Sequence, residues 1–269
     1  MEKITARTNE KIKYAVKLSE SPSFRRKNGE FILEGARLCS DAAKTGIEIR
    51  TAFITSKAFS KYEGYIGEIT EGGCICYEIS EDVAKKLSDT ESSQGVFCIC
   101  AIPDANKKGI EAKGRYLALE NLQDPSNLGA VCRSVEALGL DGLIVSGGCD
   151  IYNPKALRAS MGSLLRLNII EEPSLEELIK KAKIKGILTL ASVPISTATD
   201  IRKVEMKGGV ICCVGNEGNG LSQAVIEACD VQTVIPMQGR AESFNASAAA
   251  AILAWELIRK SDGSNPDNA

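Results

Sequence analysis

The 269-residue chain contains no histidine. Ser-His-Asp and Cys-His hydrolases take a proton near neutral pH with an imidazole, so the commonest forms of nucleophilic hydrolysis are excluded. The mixed Cys/His zinc sites go with them, and the ten cysteines contain no Cys-x-x-Cys pair that could replace them; no metal is expected. No apolar run is long enough to cross a bilayer, and Met-Glu-Lys-Ile-Thr at the N-terminus lacks the apolar core of a signal peptide. Ten cysteines without an export signal point to reduced thiols and a cytoplasmic protein with no membrane partner. Cys98 and Cys100 alternate within Val96 to Ala101, which places them on one sheet face as small hydrophobes.

Nucleotide-binding signatures are also missing. Gly215-Asn-Glu-Gly-Asn-Gly220 runs G-x-x-G-x-G, whereas a dinucleotide fingerprint runs G-x-G-x-x-G and a P-loop ends in Gly-Lys-Ser/Thr. Net charge is only −2, but its distribution is uneven: eight Lys or Arg residues lie between Lys3 and Asn28, against Glu10 and Glu20 alone. Lys11, Lys13, Arg25, Arg26 and Lys27 are either the solvated face of a helix or a phosphate-backbone footprint on RNA.

Apolar content of 44% and charged content of 25% are those of a globular protein with room for two domains. The first part alternates helices (Asn9 to Ser19, Glu81 to Leu87, and one reached through Phe31 to Glu34 and ending near Gly46) with strands (Thr51 to Thr55, Cys74 to Ile79, Gly95 to Ala101), a small α/β layer over 1–102. Residues 103–114 are polar and punctuated by Pro and Gly, as in a linker. Beyond it, strands at Tyr116 to Leu119, Gly142 to Val145, Ile187 to Ala191, Gly209 to Val214 and Thr233 to Ile235 alternate with helices. These are placed at Asn127 to Leu138, Pro154 to Met161, Leu175 to Ala182, Ser222 to Ala228 and Ser243 to Ile258. Short Val/Ile/Leu strands between helices predict a parallel sheet covered on both faces, with ligands bound beyond the carboxyl ends of the strands.

Three stretches fall at such ends. Asn121 to Arg133 reads as a strand-to-helix turn in which Asp124-Pro125 starts the turn and Asn127 caps the helix, leaving Arg133 as a surface ion-pair residue or an anion fork. Val214 to Ser222 is a tight turn or a ligand cradle, with Glu217 favouring the cradle. Ile235-Pro236-Met237 is followed by Ser243-Phe244-Asn245-Ala246-Ser247 and an alanine-rich helix with Trp255, whose small residues permit close packing within the chain or against a second copy.

Taken in order, the three stretches resemble the motifs of the SpoU/TrmH-like RNA 2′-O-methyltransferases of the SPOUT superfamily. Asn121-x-x-Asp124-Pro125-x-Asn127-x-Gly129-x-x-x-Arg133 is similar to the first motif and Gly215-Asn216-Glu217-x-x-Gly220-Leu221-Ser222 to the second. Ile235-Pro236-Met237 with Ser243 to Ser247 is similar to the third, with Phe244 and Ala246 where the family commonly has Leu and Val. Phe24-Arg25-Arg26-Lys27 and Gly29 to Gly35 resemble the N-terminal RNA-binding module of that family.

The resemblance implies an RNA-binding domain over 1–102, a trefoil-knotted SPOUT domain over 115–262, a flexible tail at 263–269 and a homodimer. It implies S-adenosylmethionine held near Gly215, Asn216, Gly220, Ile235, Met237 and Phe244, and methyl transfer to a ribose 2′-hydroxyl. The catalytic set is expected to be Arg133, Asn127, Glu217, Ser243 and Asn245. Arg133 is expected to act as a base or as a phosphate and alkoxide clamp, the clamp being favoured because a guanidinium is a poor base near neutral pH. Ribosomal RNA is the expected substrate by analogy, with transfer RNA, or a catalytically inactive RNA-binding ribosome-assembly factor, as the alternatives.

Overall fold

The computed structural model describes residues 1–90, 92–103 and 108–259; part of the expected linker and the whole of the expected tail lie outside them. Two units result, Met1–Asn106 with Asp150–Arg166, and Lys107–Cys149 with Leu167–Ala269. The first opens with β1 (Glu2–Ile4), α1 (Glu10–Glu20), α2 (Pro22–Asn28), β2 (Glu30–Glu34), α3 (Ala36–Lys44) and β3 (Ile49–Thr55). It continues through α4 (Ser56–Lys61), α5 (Glu63–Glu71), β4 (Ile75–Ile79), α6 (Glu81–Leu87) and β5 (Val96–Ala101). The chain then enters the second unit with β6 (Arg115–Glu120), α7 (Pro125–Ala137) and β7 (Gly142–Ser146), and returns to the first for α8 (Pro154–Ala159) and α9 (Ser163–Arg166). The second unit resumes with β8 (Ile169–Glu171), α10 (Leu175–Ile184), β9 (Leu188–Ser192), β10 (Thr199–Asp200) and β11 (Val210–Val214). It ends with α11 (Gln223–Ala228), β12 (Val231–Val234) and α12 (Ala246–Arg259).

The sheet of the first unit runs β1-β4-β3-β5-β2, with β1, β4 and β3 parallel and β5 antiparallel to both neighbours. Helix α1 begins where the Asn9 carboxamide accepts the Lys11 amide, and Ile12, Ala15 and Leu18 turn one stripe inward. That stripe packs on Phe53, Phe97 and Ile99 together with Val83 and Leu87 of α6. Phe97 and Ile99 face this core, so the intervening Cys98 and Cys100, both fully buried, face the other side as the alternation predicts. All ten cysteines are free thiols. Burial pushes Cys132 up to about 12 and Cys212 higher still, which keeps them protonated and unreactive.

One expectation for this unit fails. Arg25 is not a phosphate contact: the basic stretch folds as α2, capped by Ser21 and closed by Gly29 at φ 63°, and Arg25 is 1% exposed. Its Nε donates to Asp150 Oδ2 at 2.7 Å and its Nη1 to the Leu18 and Ser19 carbonyls. The guanidinium is consumed by a carboxylate that arrives from far along the chain. Lys11, Lys13, Arg26 and Lys27 are exposed. Lys13 pairs with Glu10 at 2.6 Å, and Lys11 lies over the Tyr77 ring at 5.2 Å.

The returning segment Asp150–Arg166 also departs from the expected boundary. Besides Asp150, Tyr152 packs its ring on Phe31 at 4.7 Å, and Arg158 pairs with Glu34 and with Asp89 at 2.8 Å. Strands β1, β2, β8 and β10 and helices α2, α4, α5 and α9 were not anticipated from the sequence; several are too short to show a period.

The sheet of the second unit is β10-β12-β9-β11-β6-β7-β8, with every pair parallel. Ile211 and Cys213 face a core built with Leu175, Leu178 and Ile179 of α10 and Val225 of α11. Helices α7 and α12 pack on each other, and α12 packs also on β6 and β11. The last helix starts at Ala246 rather than Ser243, because Asn245 caps it by accepting the Ser247 amide at 3.0 Å.

Replacing Asp150 by Ala leaves the Arg25 charge buried without its partner, which costs about 3–5 kcal/mol. Urea unfolding followed by circular dichroism should show the loss, and a change below about 1 kcal/mol would mean that the pair is solvated.

Candidate functional site

The carboxyl ends of β9, β11 and β12 carry the loops that build the site. They enclose a cleft of about 680 Å³. All six residues expected to hold the cofactor line it: Gly215, Asn216, Gly220, Ile235, Met237 and Phe244. Of the expected catalytic set, Glu217, Ser243 and Asn245 line it too, while Asn127 and Arg133 do not. The β9 loop from Ser192 to Ile195 supplies a wall that no motif announced. Its position after a buried strand next to β11 was the available signal.

Glu217 joins the loops. Its Oε2 accepts the Gln123 amide at 3.2 Å, and its Oε1 accepts the Asp124 amide at 3.3 Å and Asn127 Nδ2 at 2.9 Å. Burial raises its pKa, but the bonds from Asn127, its own amide and the Gln123 and Asp124 amides outweigh this and hold the carboxyl below its ordinary value. Asn127 Oδ1 in turn accepts Asn245 Nδ2 at 3.2 Å. One polar chain therefore runs from the second motif through the first to the third.

Two further bonds fix the glycine loop. Asn216 Nδ2 donates to the Asn121 carbonyl at 2.8 Å, while its Oδ1 accepts the Gly218 and Asn219 amides. At the far end Glu120 accepts both the Ser222 amide and the Ser222 hydroxyl at 2.7 Å. Asn216 and Gly220 bond to each other across the turn, bringing the Gly220 backbone so close to Gly215 that a Cβ there would overlap it. Only glycine fits at 215.

The lining has a chemical bias. No Lys or Arg lines the cleft among the described residues, Glu217 is its only carboxylate, and Val193, Ile195, Leu221 and Ile226 supply apolar wall. Such a cleft disfavours phosphates and suits a flat, neutral or cationic ligand. A nucleoside carrying a sulfonium meets that description, with backbone groups of the loops available to its polar atoms.

Arg133 stands apart. It is exposed on α7, has no hydrogen-bond or ion-pair partner among the described residues, and lies six residues beyond Asn127, about 120° around the helix. None of the described residues occupies the guanidinium.

Residues 114–255 match the model of the SpoU rRNA Methylase family, and residues 9–98 match an MRM3-like substrate binding domain. The chain belongs to the SpoU rRNA methylase family. RlmP of Bacillus subtilis, a 23S rRNA guanosine 2′-O-methyltransferase, is 29% identical over 258 residues, covering 96% of this chain and 99% of that protein. A crystal structure of an RNA 2′-O ribose methyltransferase superposes with a TM-score of 0.80 at 31% identity, covering 96% of this chain and 98% of that one. The SpoU methyltransferase AviRb of Streptomyces viridochromogenes, crystallised with AdoMet, superposes at a TM-score of 0.84 and 26% identity, covering 96% and 100%. The expected fold class, the S-adenosylmethionine-dependent RNA 2′-O-methyltransferase activity and the substrate-binding module ahead of it are thereby borne out.

Replacing Gly215 by Ala should displace the Gly220–Leu221 backbone and lower S-adenosylmethionine affinity at least tenfold in calorimetry, with the fold retained by circular dichroism. Because the Glu217 pKa is depressed, its contacts are complete above the ordinary value of 4.5 and are lost as pH falls through the lower, folded value. Cofactor affinity should accordingly be flat from about pH 8 to pH 5 and fall only under more acid conditions.

Proposed function

We propose that this methyltransferase modifies a ribose 2′-hydroxyl of large-subunit ribosomal RNA, in the cytoplasm. The observation that carries the substrate is the two-module match to a 23S rRNA enzyme over 96% of this chain and 99% of that protein. The likeness to AviRb, crystallised with AdoMet, supports reading the cleft as the cofactor site. Gly215, Gly220, Ile235 and Phe244 would hold S-adenosylmethionine there, and it would supply an electrophilic methyl group. The trefoil knot implied by the resemblance belongs to this reading, as the arrangement that folds the three motif loops around one ligand.

The protein's own part is alignment and charge. In-line displacement at a methyl group gains most from holding the two reactants in an attack geometry, which requires loops that do not drift. The chain Glu217–Asn127–Asn245 supplies that stiffness. Ser243 is exposed at the cleft and is positioned to orient the incoming ribose. The reacting hydroxyl develops negative charge, and the Arg133 guanidinium is the group suited to stabilise it while forking the adjacent phosphate.

Arg133 does not line the cleft of its own chain, and in this reading the protein is a homodimer in which one subunit offers Arg133 to the cleft of the other. The surface available for this includes α12, which carries a run of alanines and exposes Trp255. Arg133→Ala and Arg133→Lys should retain cofactor binding and lose roughly a hundred- to thousand-fold in single-turnover rate, about 2.7–4 kcal/mol. Co-expressed Arg133→Ala and Glu217→Ala chains should recover about a quarter of the wild-type activity if the site is shared across a two-fold axis. No recovery, or a fully active monomer in light scattering, would reject the shared site.

Mapping 2′-O-methyl positions in RNA from a deletion strain against its parent tests the substrate. One site lost from large-subunit ribosomal RNA is expected. A site lost from transfer RNA would move the substrate, and no lost site together with no heat on titrating the cofactor would turn the protein into an RNA-binding assembly factor.

A further inference from the structure

Beside the cofactor cleft the second unit holds a smaller polar groove of about 300 Å³, and the two share the wall made by Asn216 and Asn219. The opposite wall is Glu120, Asn121 and Gln123. Three carboxamides in this groove have spare capacity. Among the described residues no bond engages the side chains of Asn121 or Asn219, and Gln123 uses only its Nε2, donated to the Asn121 carbonyl at 3.1 Å. The loops that present them do not wander, because Asn216 holds the Asn121 carbonyl and Glu120 holds Ser222. Among the described residues no Lys or Arg lines the groove, and it contains the Glu120 carboxylate, so it repels phosphate.

Carboxamides with donor and acceptor side by side are the side chains that read base edges, and RNA readers address unstacked bases on those edges. Because the groove and the cofactor cleft share the Asn219 wall, a nucleotide whose ribose stands at the rim of the cleft can turn its base toward the groove. We propose that this groove receives the base of the nucleotide whose 2′-hydroxyl is methylated, and that Asn219 and Gln123 are specificity-determining residues that select it. The proposal rests on the RNA methyltransferase reading above. It deepens that reading from a class of RNA to the recognition of a single base.

The test uses the full-length protein and a large-subunit ribosomal RNA fragment carrying the mapped site, prepared in four versions that differ only at the methylated nucleotide. Single-turnover transfer of a radiolabelled methyl group is measured for wild type, Asn219→Ala and Gln123→Ala. Wild type should favour one base over the others by roughly 5- to 150-fold, the discrimination of one good bidentate contact. Each variant should compress that ratio to within about threefold, with a melting temperature near that of wild type. Variants that slow all four fragments equally while keeping the wild-type ratio would overturn the proposal, as would a wild type indifferent to the base. A wild type that methylates none of the four would instead bring down the underlying reading.

Discussion

Everything at the site depends on one carboxylate being held where it is. Glu217 sits in the middle of a glycine-rich turn, a segment with little stiffness of its own, and takes hydrogen bonds from two backbone amides of the β6–α7 loop and one carboxamide in the first turn of α7. Charge-assisted bonds of this kind are about twice as strong as neutral ones. Three of them on one side chain convert two loops into a single body. The cleft can then keep its shape without a ligand, which is what a reaction governed by alignment demands.

The surrounding design serves the same constraint. Strand β11 sits between β6 and β9, so the glycine loop emerges flanked by the two loops it must meet. Asn245 both caps α12 and donates to Asn127, so the last helix is tied into the polar chain at its first turn. Glu120 performs a similar double task at the exit of the loop by engaging the N-cap residue Ser222 through its amide and its hydroxyl. Backbone conformation, capping and site geometry are thus fixed by the same few side chains.

Much of this was legible in the sequence, for identifiable reasons. The strands of the second unit are short apolar runs bounded by turns, and β6, β7 and β11 fall within one or two residues of their expected spans. The parallel sheet put the glycine loop and the third stretch beyond strand ends, and the resemblance to the SpoU/TrmH-like motifs implied that they share one cofactor. The β9 loop was missed because Ser192 to Ile195 carries no distinctive residue, only a position. Arg25 was misassigned because a basic run looks the same in sequence whether one member points inward or not. What turns it in is Asp150, more than a hundred residues away, and no local pattern contains that information.

The path of the chain carries a further consequence. After β7 the polypeptide leaves the catalytic sheet, contributes Asp150–Arg166 to the substrate-binding unit, and only then returns for β8. The two units are therefore joined by three crossings rather than one. A recombination event, or an engineer, that exchanged residues before the linker alone would import a new module lacking the partners of Asp150, Tyr152 and Arg158, and would strand those side chains on the recipient. Inheritance of RNA preference in this architecture must move as two matched pieces, which ties the evolution of the substrate module to a stretch of the methyltransferase sequence that does no chemistry.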